Sequence, residues 1–257
     1  MKLKSKLLLA LLATSSAAFA QTAPAAPEVT YNVGVVSQYR YRGLAQTKGQ
    51  PALQGGVDYA NKGGYYLGAW ASQIQWIKDA SQSNTSYTGN TELDLYGGYK
   101  FNSSGIDFDI GFLRYNYIGN NYGNAALGGN TQYSNANTNE IYGAATVGAY
   151  TFKISNTLTD LFGSVGTKNS DYYDLTANFD LGGGITLSPH IGRQVVASRT
   201  DFSYTDTSLT VAKDLGDGLS LSAAAISTTA KSGAFNSNLT NYATGKSAVV
   251  IGLKYGF

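Results

Sequence analysis

The sequence contains no cysteine, which excludes disulfide bonds, iron–sulfur sites and a lipoprotein anchor. It has one histidine, so an ordinary transition-metal site is excluded as well. Charged residues make up 13% of the chain, about half the usual share of ~25%. Apolar residues reach only 43%. This combination fits a soluble domain poorly and suits a membrane barrel, which needs apolar residues on only one face of each strand.

Long apolar runs are also missing, since no stretch reaches the ~20 residues that a transmembrane helix needs. Residues 1–20 begin with three lysines, continue with a short apolar core and end in the small-x-small triplet before Gln21. This pattern predicts a secretory signal peptide cleaved near Ala20. The Ala/Pro-rich segment 21–28 is then a short periplasmic linker. Residues 29–257 remain as the predicted barrel.

Removal of the leader leaves 15 basic and 16 acidic residues. No excess of basic charge therefore indicates nucleic acid as a partner. Nothing in the sequence predicts a cofactor, a metal site or a catalytic residue, and the oligomeric state is left open.

Residues 246–257 show the clearest alternation in the chain. Apolar side chains recur at every second position, which places them on one face of a β-strand: Val249, Ile251, Leu253, Tyr255 and Phe257. This terminus resembles the last strand of bacterial outer-membrane β-barrels. The resemblance implies that Leu253, Tyr255 and Phe257 form the signal read by the barrel-assembly machinery.

Alternating segments separated by Gly, Asn and Asp clusters continue from residue 29 to the end, without a convincing helical period. They predict twelve strands, near 29–42, 50–60, 65–76, 91–101, 106–117, 139–149, 151–159, 171–181, 185–197, 203–213, 218–229 and 246–257. Short turns and longer polar connections alternate between them. An up-and-down antiparallel transmembrane barrel with short periplasmic turns and longer extracellular loops has this pattern.

Charges avoid the apolar face of these strands, as the cost of burying them in lipid requires. The predicted pore-lining side chains are Arg40, Arg42, Asp58, Glu92, Asp94, Lys100, Asp174, Asp180, His190 and Lys254. One interpretation is that they select permeating solutes by charge. The other is that they pair across a narrow lumen and fill it. Acids slightly outnumber bases on this face, which favours cations.

Three further expectations concern aromatic residues and loops. Strand 106–117 loses its phase at Leu113, so a β-bulge is expected to return Tyr115 and Tyr117 to the outer face. Aromatic side chains near strand ends are expected to form interfacial girdles: Tyr39, Tyr41, Tyr65, Trp76, Tyr117 and Tyr255. The long loops, especially 118–138, are the candidates for folding inward.

His190 and Ser188 fall on the same side of the ninth strand, which raises the alternative of an outer-membrane lipid hydrolase. Known twelve-stranded phospholipases place the Ser after the His, facing lipid. Here the order is reversed and the face is the polar one, so a solvated lumen histidine is the better interpretation.

The first hundred residues of the predicted barrel carry a family pattern. It consists of VVSQYRYRG at 35–43, QGGVDY at 54–59, GAWAS at 68–72 and ELD at 92–94. These motifs resemble the TorF-type porins, a bacterial outer-membrane family of unknown function. The resemblance implies a β-barrel porin and brings neither a substrate nor a catalytic residue.

The sequence therefore predicts an outer-membrane porin of a Gram-negative bacterium, a passive channel for small hydrophilic solutes or ions and not an enzyme. Its predicted partners are outer-membrane lipid, the assembly machinery and the permeating solutes. A structural or adhesive barrel with a closed lumen is the main alternative in function. A secreted soluble β-sandwich is the alternative in fold.

Overall fold

A computed structural model describes residues 28–80, 86–123, 133–231 and 242–257. In chain order the strands are β1 (Glu28–Val36), β2 (Arg40–Tyr41), β3 (Leu44–Ala45), β4 (Ala52–Ala60), β5 (Tyr65–Gln73), β6 (Thr91–Ser103), β7 (Ile106–Ile118), β8 (Thr138–Val147), β9 (Tyr150–Thr157), β10 (Asp171–Ala177), β11 (Phe179–Asp180), β12 (Ile185–Val195), β13 (Tyr204–Gly216), β14 (Leu219–Thr228) and β15 (Ala248–Gly256). One α-helix, α1 (Trp76–Asp79), and two 3₁₀ turns at Leu161–Gly163 and Thr200–Phe202 complete the elements. No helix among the described residues is long and apolar enough to cross a membrane.

The strands form one closed antiparallel barrel. Neighbours in the chain pair along the whole sheet, β1 pairs with β15, and β10 pairs with β12 to complete the ring. The segments β10 and β11 flank Asn178 and share the partner β12, so they count as one wall strand. With β2 and β3 forming a separate small sheet, the wall has twelve strands, as predicted.

The two faces of the wall differ in chemistry as the alternation predicts. On β15 the side chains of Val249, Ile251 and Phe257 are 65%, 56% and 64% exposed, whereas Val250 between them is 3% exposed. Phe257 also stacks on Tyr31 of β1, with ring centroids 5.6 Å apart. So continuous an exposed apolar band is unfavourable in contact with water but suited to contact with lipid.

The β-bulge expected at Leu113 is wrong. The pairing of β6 with β7 runs without a break from Thr91 opposite Ile118 to Ser103 opposite Ile106. Leu113, Tyr115 and Tyr117 all point inward and are buried. Arg114 takes the outer position, where it is exposed and bonds to Asn116 and Asn139. The phase of the strand therefore does not change at Leu113. The outer position of Arg114 is polar and lies close to the end of the strand, where a charge on the lipid face costs little free energy.

The girdle interpretation holds for only part of the aromatic set. Tyr65 and Tyr255 are exposed on the outer face. Tyr39, Tyr41 and Tyr117 are at most 6% exposed and belong to the core inside the barrel. The assignment of those three and of Trp76 to a girdle is wrong. The segment that carries Tyr39 and Tyr41 turns into the lumen, Tyr117 lies on the inner face of β7, and Trp76 begins α1 and packs against the same core.

One end of the barrel carries the tight connections and the chain terminus; the other carries the longer connections. We call them the turn end and the loop end. The first strand was predicted to reach residue 42 but ends at Val36. The predicted signal peptide and linker residues 21–27 lie outside the described residues, as do residues 124–132 of the 118–138 loop. Glu28, predicted in the linker, begins β1.

Candidate functional site

The connection from β1 to β4 folds into the barrel. Within it, β2 and β3 form a two-strand hairpin in which Arg40 is opposite Ala45 and Tyr41 opposite Leu44. The two residues between the strands, Arg42 and Gly43, have φ values of 45° and 78°. Positive φ at both central positions is what a type I′ turn requires, and glycine favours it. We call residues 37–51 the luminal hairpin.

The tip of the luminal hairpin packs against the inner face of β13 and β14. A methyl group built on Gly43 would lie 2.4 Å from a side-chain carbon of Thr228 and 2.8 Å from the Cβ of Asp206. Both distances are too short for real contacts, so glycine is needed for space as well as for backbone conformation. The tip of the hairpin therefore lies against β14 and β13, two and three strands from β1 around the wall.

Arg42 anchors this tip in the barrel interior. Its guanidinium is 2.8 Å from Oε2 of Glu140 and donates to Oε1 of Gln194 at 2.9 Å. Its Cζ also lies 4.2 Å from the ring centroid of Tyr172 and 4.8 Å from that of Tyr41. An ion pair, a neutral acceptor and two aromatic faces thus hold a single buried cation, the combination that suits the planar guanidinium.

A hydroxyl relay joins the same carboxylate to the hairpin. The hydroxyls of Tyr41 and Tyr115 are 2.8 Å apart, and Tyr115 donates to Glu140 at 3.2 Å. Tyr115 has no exposed surface, and Glu140 is 1% exposed. The loop-end half of the lumen is therefore packed with mutually bonded polar groups at this point.

The base of the luminal hairpin is fastened at two other places. Arg40 donates to the backbone oxygens of Gly43, Thr244 and Lys246 at 3.0, 3.0 and 2.8 Å. On the opposite side, the hydroxyl of Tyr39 donates to Glu92 at 2.9 Å. These contacts link the hairpin to the segment that precedes β15 and to β6, so it is attached at two separate places in the barrel.

A second charged cluster surrounds His190 on β12. Its Nε2 is 3.0 Å from Oδ1 of Asp206, and its Nδ1 is 3.3 Å from Oδ2 of Asp174. Tyr172 donates to both oxygens of Asp206. Ser188 donates instead to Asn178, at 2.6 Å. His190 is therefore an ion-pairing group between two carboxylates, and the hydroxyl of Ser188 is bonded elsewhere.

The turn-end half of the lumen carries lysines over tyrosine rings. Nζ of Lys100 lies 5.0 Å from the ring centroid of Tyr66, and Nζ of Lys153 lies 3.9 Å from that of Tyr142. The two tyrosine hydroxyls bond to each other, and Tyr66 donates to Asp109 at 2.6 Å. Cation–π contacts of this kind hold an ammonium group without neutralising it.

Exposure changes along the inner face. Toward the loop end, the inward side chains of Glu92, Asp94, Glu140 and Asp206 are at most 3% exposed. Nearer the turn end, Asp109 and Lys153 are also buried, but a larger group is partly exposed: Tyr66, Tyr96, Tyr142, Lys100 and Lys254. The lumen is thus more exposed at the turn end than toward the loop end, where the luminal hairpin packs it.

The structure places most of the predicted pore-lining residues inside the barrel. Asp58, Glu92, Asp94, Lys100, Asp174, His190 and Lys254 lie on inward strand positions. Arg40 and Arg42 are also inside, but on the luminal hairpin and not on β1. Asp180 departs from the expectation: it is exposed at the turn end and accepts the backbone N–H of Gly182, so it joins none of the lumen clusters.

Sequence reasoning missed several members of these clusters. Glu140, Asp206 and Lys153 were not singled out, although each is a charge inside an alternating strand. Their inward position follows from the parity of their strands, which was the available signal. The partners of the predicted charges include residues outside the predicted set: Arg42 pairs with Glu140, and Glu92 accepts from Tyr39.

Comparison with known proteins gives a family and a fold. A family model described as "Bacterial protein of unknown function (Gcw_chp)" matches residues 20–257. The match extends well beyond the motifs that carry the TorF-type resemblance, and that finer assignment stays a prediction. No curated protein matches the sequence.

Two solved structures of the KdgM porin are similar to this chain. One, in complex with disordered oligogalacturonate, has a TM-score of 0.51 at 7% identity; the other has 0.50 at 8% identity. Each alignment covers 89% of this chain and 98% of the porin chain. At such low identity the similarity establishes the fold, a closed twelve-strand antiparallel barrel of the outer-membrane porin type.

Proposed function

We propose that this chain, which belongs to the Gcw_chp family of bacterial proteins of unknown function, is an outer-membrane channel for small hydrophilic solutes or ions. The observation that carries the proposal is the contrast between the two faces of the wall. The outer face is mainly apolar, with charges such as Arg114 toward the loop end, whereas the inner face holds charged and hydroxyl groups. A barrel in lipid with a polar interior is arranged to pass polar solutes.

The luminal hairpin is the selective element of this channel. It reaches into the lumen, where its Arg42 is paired with Glu140 of β8 and its Arg40 donates to backbone oxygens. Passage toward the loop end therefore requires a solute to pass the hairpin or the hairpin to move. No covalent chemistry is involved. The acids of the inner wall outnumber its bases slightly, which favours cations over anions.

Planar-bilayer recording of the purified protein tests the proposal. Stepwise conductance, with a reversal potential in a salt gradient that has the cation sign, is the expected result. Absence of steps at high protein loading would contradict it. Heat-modifiable migration on gels confirms beforehand that the barrel is folded.

A pair of glycine variants links the conductance to the hairpin. Gly43→Ala places a methyl group against Thr228 and Asp206, so the tip cannot stay seated and conductance should rise. Gly105→Ala is the matched control. Gly105 also has positive φ, at 81°, but no atom lies within 4 Å of a methyl group there. An equal rise in conductance in both variants would show that backbone strain at the substituted glycine, and not the position of the hairpin, controls the current.

A closed structural or adhesive barrel is the second candidate. The dense packing around Arg42, Tyr115 and Glu140 favours it, because these groups are buried and mutually bonded. The two candidates differ in one measurement: the closed barrel stays silent in the bilayer for the wild type and gains current only when the hairpin is unseated.

A further inference from the structure

A cavity of about 210 Å³ lies at the loop end, next to the luminal hairpin. Its walls come from the hairpin, α1, the end of β7 and the 3₁₀ turns at 161–163 and 200–202. Aromatic side chains dominate the lining: Tyr41, Trp76, Tyr117, Tyr122, Phe162 and Tyr204. The charged clusters of the lumen described above do not explain what this cavity does.

The aromatic rings of the cavity form one connected group. Trp76 meets Tyr117 and Tyr122 edge to face, with centroids 5.3 and 5.4 Å apart. Tyr41 meets Phe162 in the same manner at 5.4 Å. Such a group offers ring edges and faces to a further aromatic ring, and each such ring pair is stabilising beyond the area that it buries.

The charges of the cavity select against ions. Of the described residues that line it, Lys48 and Asp79 are charged, and their signs are opposite. Burial raises the pKa of the Asp79 carboxyl above its usual value, although the ammonium of Lys48 opposes the shift. An ion of either sign would therefore lose water at an apolar surface without a net countercharge.

One polar group of the lining lacks a partner. The indole Nε1 of Trp76 is buried and has no hydrogen-bond partner among the described residues. A buried donor left unpaired is destabilising. Trp76 lines the cavity, so a ligand acceptor that reaches Nε1 after a small rotation of the indole would remove this destabilisation, which favours a molecule that combines an apolar ring with a single oxygen.

We propose that this cavity binds an uncharged monocyclic aromatic compound carrying a hydrogen-bond acceptor, such as a simple phenol. The volume agrees, because an apolar protein cavity of about 150 Å³ holds benzene, and 210 Å³ leaves room for one or two substituents. The site lies where a solute arriving at the loop end meets the hairpin. It deepens the proposed channel function, and its occupancy does not require that the lumen conducts.

Tryptophan fluorescence tests the site directly, because the chain has two tryptophans and only Trp76 lines the cavity. Trp70→Phe leaves Trp76 as the reporter, and Trp76→Phe leaves Trp70 inside the barrel as the matched control. In folded protein in detergent, p-cresol should quench Trp76 with saturation. It should quench Trp70 only in proportion to concentration, through partitioning into the micelle.

Competing probes and a filled cavity define the class of ligand. Glucose, benzoate and benzylamine at the same concentrations should give no saturation. Ser164→Phe, at a lining position, should abolish saturable quenching by p-cresol in the Trp70→Phe background while heat-modifiable migration is kept. Linear quenching of Trp76, survival of saturation in the filled variant, or saturation by glucose in place of p-cresol would each overturn the proposal. Because the fluorescence measurements do not depend on ion conductance, they can refute ligand binding at the cavity without refuting the proposed channel function, and the reverse also holds.

Discussion

Replacing Arg42 with glutamine tests how the luminal hairpin is held. The variant keeps much of the side-chain length but removes the positive charge, and it leaves Glu140 as a carboxylate that is 1% exposed. Breaking one side of a buried ion pair costs about 3–5 kcal/mol. Since each 1.4 kcal/mol is a factor of ten, the seated state of the hairpin loses roughly two to more than three orders of magnitude in relative population.

This loss falls on the hairpin and not on the wall, because the strand pairing of the barrel does not involve Arg42. The Arg42→Gln protein should therefore stay heat-modifiable and show a larger or noisier single-channel current than the wild type. Glu140→Gln should behave similarly. The double variant should recover part of the wild-type behaviour, since no unpaired charge then remains buried.

Arg114→Gln is the matched control for this experiment. Arg114 is also an arginine with side-chain hydrogen bonds, but it lies exposed on the outer face of β7. Its replacement should leave the current unchanged. The reasoning fails if Arg42→Gln conducts as the wild type does, if both arginine variants raise the current equally, or if the double variant is additive.

Other predictions concern the wall and its assembly. Tyr39→Phe removes a donor to buried Glu92 and should lower the free energy of unfolding in lipid vesicles by about 1–3 kcal/mol, measured by urea titration. Ile251→Arg, on the outer face near the middle of β15, should cost about 2–4 kcal/mol in the same titration; an unchanged midpoint would argue against lipid contact. Phe257→Ser should reduce the heat-modifiable fraction in outer membranes of expressing cells but not after refolding of the purified chain in detergent. Equal losses in both would mean that Phe257 acts through stability and not as an assembly signal.

The strands of this barrel were predictable because their information is local. A period of two with apolar residues on one side, as at Val249 and Ile251, is enough to set the face of each strand. The alternation of short turns and long loops then fixes an even, antiparallel ring. Twelve strands and their order follow without any knowledge of contacts between distant residues.

The luminal hairpin was not predictable in the same way. The alternation of the first strand continues through Tyr39 and Tyr41 to Arg42, so the sequence alone reads as one long strand. What ends the strand is tertiary: Tyr39, Arg40 and Arg42 gain buried partners only when β6, β8 and the last loop surround them. Gly43 was the one local signal of the turn.

The bulge error has a different cause. Leu113, Tyr115 and Tyr117 fall out of step with the apolar positions before them, which suggested a change of phase. Without a bulge Arg114 takes an outer position, and a charge facing the middle of the bilayer is costly. The position lies four residues before the end of β7, where Asn116 and Asn139 accept from the guanidinium. Depth along the strand, which periodicity does not report, decides whether a charge is tolerated.

Arg40 ties residues near the start of the chain to the backbone of Thr244 and Lys246, which follow it by more than two hundred positions. The same end of the chain supplies β15, the strand that joins β1. The hairpin can therefore block the lumen only after the C-terminal segment has folded and the wall has closed. A truncated chain would lack these contacts, so controlled permeability requires the complete polypeptide.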